Sequence, residues 1–154
     1  MTLTARDGSA DIVLMAIATT NANVIFPWSD AYSVGIPQID TQHKGLIRLI
    51  NELHASMAAG QGKQTLGRTL DELVHYTESH FSYEEGMLRQ KRYSNVSNHQ
   101  VIHQKLTKEV SDLRDRYRAN KLTLTLDVMR FLKSWLSDHI LVHDMAYARE
   151  LKTR

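Results

Sequence analysis

Five of the eight histidines fall, with two carboxylates, at the spacings a paired-metal site inside a helical bundle requires. They are His43, then His80 with Glu84, then His99 with His103, then His139 followed by Asp144. Each group lies on the apolar stripe of a different helical segment, where imidazoles and acids are normally scarce. An isolated charge in low dielectric is costly, so buried acids are rare unless paired or bound. A shared divalent or trivalent metal centre would relieve that cost for all seven groups together. A single histidine on an apolar face is usually a hydrogen-bonded core residue, but five of them with two acids do not fit that account. The chain has no cysteine, so any metal must take nitrogen and oxygen ligands.

Residues four apart on an α-helix are separated by about 40° around the axis and about 6 Å along it. His80 with Glu84, and His99 with His103, therefore present both side chains to one interior point. His139 and Asp144 are five apart, about 140° on an ideal helix, and do not converge. His143, four after His139, is the more natural partner. If Asp144 is the ligand, the spacing predicts local unwinding or a π-type turn between Ile140 and Asp144, a distortion common at functional sites.

The elements that must position these groups follow from the apolar period. After Pro37 a helix opens, with Asp40 favouring its N-terminal dipole. Its stripe is Ile39, Leu46, Ile47, Ile50, Leu53 and Met57, and Gly60 and Gly62 end it. A second helix spans about residues 64–89 through Leu66, Leu70, Leu73, Val74, Phe81 and Leu88. Ser94 or Asn95 caps a third, through Val96, Ile102, Leu106, Val110, Leu113 and Tyr117, which breaks at Asn120. Thr123 or Thr125 caps a fourth, through Val128, Met129, Leu132, Trp135, Leu136 and Ile140 to about Leu151. Short links between four amphipathic helices predict an all-α, up-down-up-down antiparallel four-helix bundle with an irregular N-terminal arm. Trp28 is expected to cap one end of it.

Composition narrows the function classes. The chain has 154 residues and a formal charge of +2, with basic residues scattered, so neither nucleic acid nor membrane is an expected partner. The apolar run Ile12–Ala18 is too short to span a bilayer and lacks a clean basic leader. Residues 1–25 are read as an N-terminal extension of unknown role and residues 26–154 as one bundle domain. A cytoplasmic monomer is expected.

The order of the motifs resembles the bacterial hemerythrins. Trp28, Val34-Gly35-Ile36 and Ile39-Asp40-Thr41-Gln42-His43 resemble the entry to that family's first helix. His80-Phe81-Ser82-Tyr83-Glu84-Glu85 is similar to its HFxxEE motif, and His99 to His103 to its HxxxH. Trp135-Leu136-Ser137-Asp138-His139-Ile140, followed by Asp144, resembles its WLxxHI…D signature. The likeness covers about residues 26–150. It implies a non-haem di-iron centre, oxo- or hydroxo-bridged, with His99, His103 and His139 on one iron and His43 and His80 on the other. Glu84 and Asp144 would bridge them, so the resemblance selects Asp144 over His143. Five imidazoles, two bridging carboxylates and one bridging oxygen fill all but one position of two octahedral irons. The vacancy falls on the two-histidine iron, and the family's reversible O₂ binding follows.

The resemblance therefore implies O₂ carriage, storage or delivery to an oxygen-consuming enzyme, and no enzymatic activity. An O₂ or redox sensor acting through a separate partner is the alternative, disfavoured because no output-domain sequence is attached. A ferritin-like di-iron oxidase needs an inward Glu-x-x-His from each of two helices; Glu72 with His75 is the one match and stands outside the clusters. Neither His54 nor His75 matches a ligand position, and Glu85 is read as a solvated or supporting carboxylate rather than a bridge.

Overall fold

The computed structural model describes residues 24–154, and the apolar run Ile12–Ala18 lies outside them. The described chain is helical, with no strand among the described residues. A short 3₁₀ turn, Asp30–Tyr32, precedes α1 (Pro37–Ala58), α2 (Lys63–Gln90), α3 (Val96–Arg118) and α4 (Leu126–Asp138). A π-helical segment, His139–Asp144, continues α4 into α5 (Met145–Lys152), so the last three form one rod. The result is the expected up-down-up-down antiparallel bundle, and residues 24–36 ahead of it are irregular apart from the 3₁₀ turn.

Local chemistry sets the ends. Pro37 opens α1, where its missing N–H costs nothing. Gly60, at φ +68°, turns the chain out of α1 through a left-handed conformation that glycine adopts freely. Thr125 caps α4 by accepting from the Val128 N–H. Asn95 holds the N-cap position of α3 but makes no side-chain cap. Ser94, the other expected cap, is turned toward α5, where it donates through Oγ to Glu150 at 2.6 Å. Asn120 leaves α3 at φ +58°, which asparagine tolerates better than most residues.

Two apolar clusters fill the bundle. The larger runs from Leu46 and Ile140 toward the α1–α2 and α3–α4 links and includes Leu53, Leu70, Leu113, Met129 and Leu132. The smaller closes the opposite end with Val34, Ile39, Leu88, Tyr93, Tyr147 and Ala148. Helices α1 and α2 approach closely at Gly45, where an added Cβ would run into the Tyr76 hydroxyl. The arm is fastened along α1: Asn51 accepts from the Phe26 N–H at 2.9 Å and donates to the Phe26 carbonyl at 2.8 Å. Phe26 is wholly buried. Trp28 does not cap the bundle end; it lies on the flank of α1 with the Lys44 ammonium 4.8 Å from its ring centre. An irregular arm held by polar bonds to a helix side gave no periodic signal, and the tryptophan followed it.

Candidate metal centre

The polar groups singled out by spacing meet between the two apolar clusters. His43 projects from the second turn of α1, His80 and Glu84 from the last turns of α2, His99 and His103 from the first turns of α3. The π segment supplies His139 and Asp144 at its two ends. None of the seven is more than 3% exposed. The expected distortion is present: by widening the turn, the π segment brings the fifth residue after His139 back to the interior. His143 is only half-buried. Its ring centre lies 5.7 Å from that of His139, and it belongs to neither group of converging donors.

Those donors form two groups: Glu84, His99, His103, His139 and Asp144 in one, and His43, His80 and Glu84 in the other. Glu84 faces both. Its Oε1 lies 2.8 Å from His99 Nε2 and 3.2 Å from His103 Nε2. Its Oε2 lies 3.8 Å from His80 Nε2 and 4.0 Å from His43 Nε2. Asp144 divides in the same way, with Oδ1 3.0 Å from His139 Nε2 and 3.3 Å from His99 Nε2, and Oδ2 3.2 Å from His43 Nε2.

Proximity does not satisfy these atoms. Both ring nitrogens of His43, His80 Nε2, His139 Nδ1 and both Asp144 oxygens are buried without a hydrogen-bond partner. The His43–Asp144 approach is short but off the direction a hydrogen bond requires. Buried polar atoms are almost always paired, so orphaned donors aimed at common points fit a cation. The nitrogen and carboxylate set suits a first-row transition metal.

Burial opposes charge throughout the cluster, and the partners decide each outcome. Burial pushes the His80 imidazolium down to about 4. His99 is pushed up to about 9 despite its burial, by the Asp144 and Glu84 carboxylates beside its Nε2. His43 is raised against the same penalty, chiefly by Asp144. Glu84 is held at about 2 against burial and the Asp144 charge, by hydrogen bonds to His103 and His99. Asp144 lies well below its ordinary value against burial, held by His139, His43 and His99. The metal-free cluster therefore keeps its acids ionised, as ligands must be.

Around it stands a layer that spacing did not reveal. Gln42 Oε1 lies 2.7 Å from His80 Nδ1, Glu85 Oε1 lies 3.0 Å from His103 Nδ1, and the Tyr147 hydroxyl donates to Glu84 Oε2 at 2.8 Å. Glu85 is thus a supporting carboxylate, as expected. Gln42 and Tyr147 were missed. Tyr147 sits three residues beyond Asp144 on the same inward face, a periodic signal that reads as ordinary packing. Phe81 stacks on His103, ring centres 3.7 Å apart. Glu72 and His75 are exposed, and His54 is half-buried outside both donor groups.

Comparison with known proteins agrees with this geometry. The family model for the hemerythrin HHE cation binding domain matches residues 34–151. A bacteriohemerythrin from Stenotrophomonas maltophilia is 34% identical over 81% of this chain and 80% of its own length. A myohemerythrin from Theromyzon tessulatum is 29% identical over 82% of this chain and 93% of its own. The crystal structure of wild-type hemerythrin superposes with a TM-score of 0.76 at 30% identity, covering 82% of this chain and 98% of that one. A four-helix bundle with a buried His/Glu/Asp cluster and these relatives places the chain in the hemerythrin family.

Proposed function

We propose that the chain holds two iron ions and binds O₂ reversibly, serving in carriage, storage or delivery to an oxygen-consuming enzyme. One observation carries this reading. Each buried carboxylate turns one oxygen toward a histidine set on α3 and the last rod and the other toward His43, with His80 beside it for Glu84. That arrangement would suit two carboxylates shared between two ions. His99, His103 and His139 would hold one ion, His43 and His80 the other, with Glu84 and Asp144 shared. When present, a ferrous pair would supply the two electrons that reversible O₂ binding needs.

The chain's own residues do the rest. Gln42 and Glu85 fix the ring orientations of His80 and His103, so the ligands are aimed before metal arrives. Tyr147 holds Glu84 from the closing end. Phe81 and the apolar cluster that begins at Leu46 and Ile140 keep water and protons from the centre, which favours release of O₂ over further chemistry. The site is rich in histidine, and the exposed Glu72 and His75 offer no second carboxylate-rich site for oxidase chemistry. We assign the chain no enzymatic activity and place this centre in a domain spanning residues 26–154, with residues 1–25 as an extension. A cytoplasmic location suits a cysteine-free chain, and no helix of the described residues is long and apolar enough to cross a membrane.

The test is metal analysis and a visible spectrum of anaerobically reduced protein before and after air is admitted. Two irons per chain and a band that appears with O₂ and fades on its removal are expected. Zinc or manganese at full occupancy, with no response to O₂, would overturn the reading.

A further inference from the structure

The two halves of the centre differ in what lies behind their ligands. With Nε2 turned inward as a lone-pair donor, a neutral imidazole keeps its proton on Nδ1 and donates it outward. His103 donates to a carboxylate, Glu85. His80 donates to a neutral amide, Gln42. Glu85 is itself oriented by Gln100, whose Nε2 donates to its second oxygen at 3.1 Å. Arg89 reaches that oxygen only at 3.8 Å and is half-exposed, so it cancels little of the charge. A carboxylate draws the Nδ1 proton toward itself and makes the ring a stronger, more anionic donor at Nε2; an amide orients the ring without adding charge. Tyr147 adds to the imbalance from the other side. It donates to Glu84 Oε2, the oxygen nearer His43 and His80, and so draws electron density from the bridge where the two-histidine ion would bind.

We propose that Glu85 is a positioning residue that acts through His103 to make the three-histidine iron the more tightly held and the first to become ferric, with Gln42 and Tyr147 keeping the two-histidine iron the looser and more easily reduced. The proposal rests on the di-iron reading above. Glu85 touches neither iron; its effect passes through the imidazole. Glu85→Gln keeps an acceptor at His103 Nδ1 and removes only the charge. Gln42→Glu places a charge behind His80 instead.

The experiment is an anaerobic titration of metal-free protein with ferrous iron, followed by Mössbauer spectroscopy of protein given one oxidising equivalent. The unmodified chain should bind its two irons in unequal steps, with the ferric signal at the tighter site. Glu85→Gln should weaken the first step by about 10- to 100-fold, the range seen when such outer partners are lost, and leave the second nearly unchanged. Its preference for ferric over ferrous iron should fall about tenfold, which is about 59 mV for one electron. Gln42→Glu should tighten the second step and bring the two together. Equal steps in the unmodified chain, or unchanged steps and ferric placement in both variants, would overturn the proposal while leaving a di-iron site intact. Uptake of fewer than two irons by the unmodified chain would instead remove the di-iron reading itself.

Discussion

The two ends of the bundle are built differently. Beyond Leu46 and Ile140 the interior is a continuous apolar cluster, with Leu53, Leu70, Met129 and Leu132 wholly buried. At the other end the apolar cluster is small, and two of its members, Tyr93 and Tyr147, are tyrosines. Between them lies a slab of seven imidazole and carboxylate groups, several of them orphaned. The large cluster gains its stability from burial alone. The small one is cut off from it by polar groups that cost free energy unless something binds them. One end thus has its polar groups kept out of the core, and the other has buried polar atoms that a bound cation would satisfy.

Breaking the site end should give the largest effect. Asp144→Ala is expected to lose the second ion and the O₂-dependent spectrum altogether, whereas His143→Ala should keep both. Iron content and the visible spectrum of the two variants decide this, and the opposite pattern would return the ligand role to His143. Breaking the far end should do the reverse. Leu70→Ala should cost about 2–5 kcal/mol of stability, the usual range for such a cavity, and leave two irons in place, as denaturant unfolding and metal analysis would show. Loss of iron there would mean that the two ends are not separable.

A smaller effect sharpens the contrast through pH. In the metal-free protein His99 is raised to about 9, above its ordinary 6.5. Its contribution is fully present below about 6.5 and is lost as pH rises through about 9. His80 is lowered to about 4; the unfolded chain then binds a proton that the folded one refuses, so stability falls as pH drops from about 6.5 toward 4. Metal-free protein should therefore melt highest near pH 6.5 and lower on both sides. Loaded protein, whose ligands are already deprotonated, should lack the alkaline fall. Parallel melting curves for the two forms would count against this origin.

The helices were legible because their apolar residues repeat, and the seven polar groups stood out against that repeat. The π segment followed only on the condition that Asp144 turns inward, because helical spacing by itself favours His143 as the partner of His139. What escaped notice lacks such contrast. Phe26 is tied down by Asn51, a partner 25 residues away, and nothing local marks the pair. Asn95 has the right chemistry for a cap, yet it makes no side-chain cap. Gln42 and Tyr147 act through neighbours on other helices, so their roles exist only once the bundle is assembled.

The wide turn at His139–Asp144 also decides where this rod can change length. It already carries one residue beyond what an ordinary spiral would use, and Leu141 and Val142 project into solvent there. Deleting either could be absorbed by tightening the turn, leaving Asp144, Tyr147 and Ala148 facing inward. The same deletion at Ser134 has no slack to draw on and would swing everything after it by about 100° relative to the preceding turns. Single-residue deletions in relatives of this chain should therefore gather at this one short stretch of the rod.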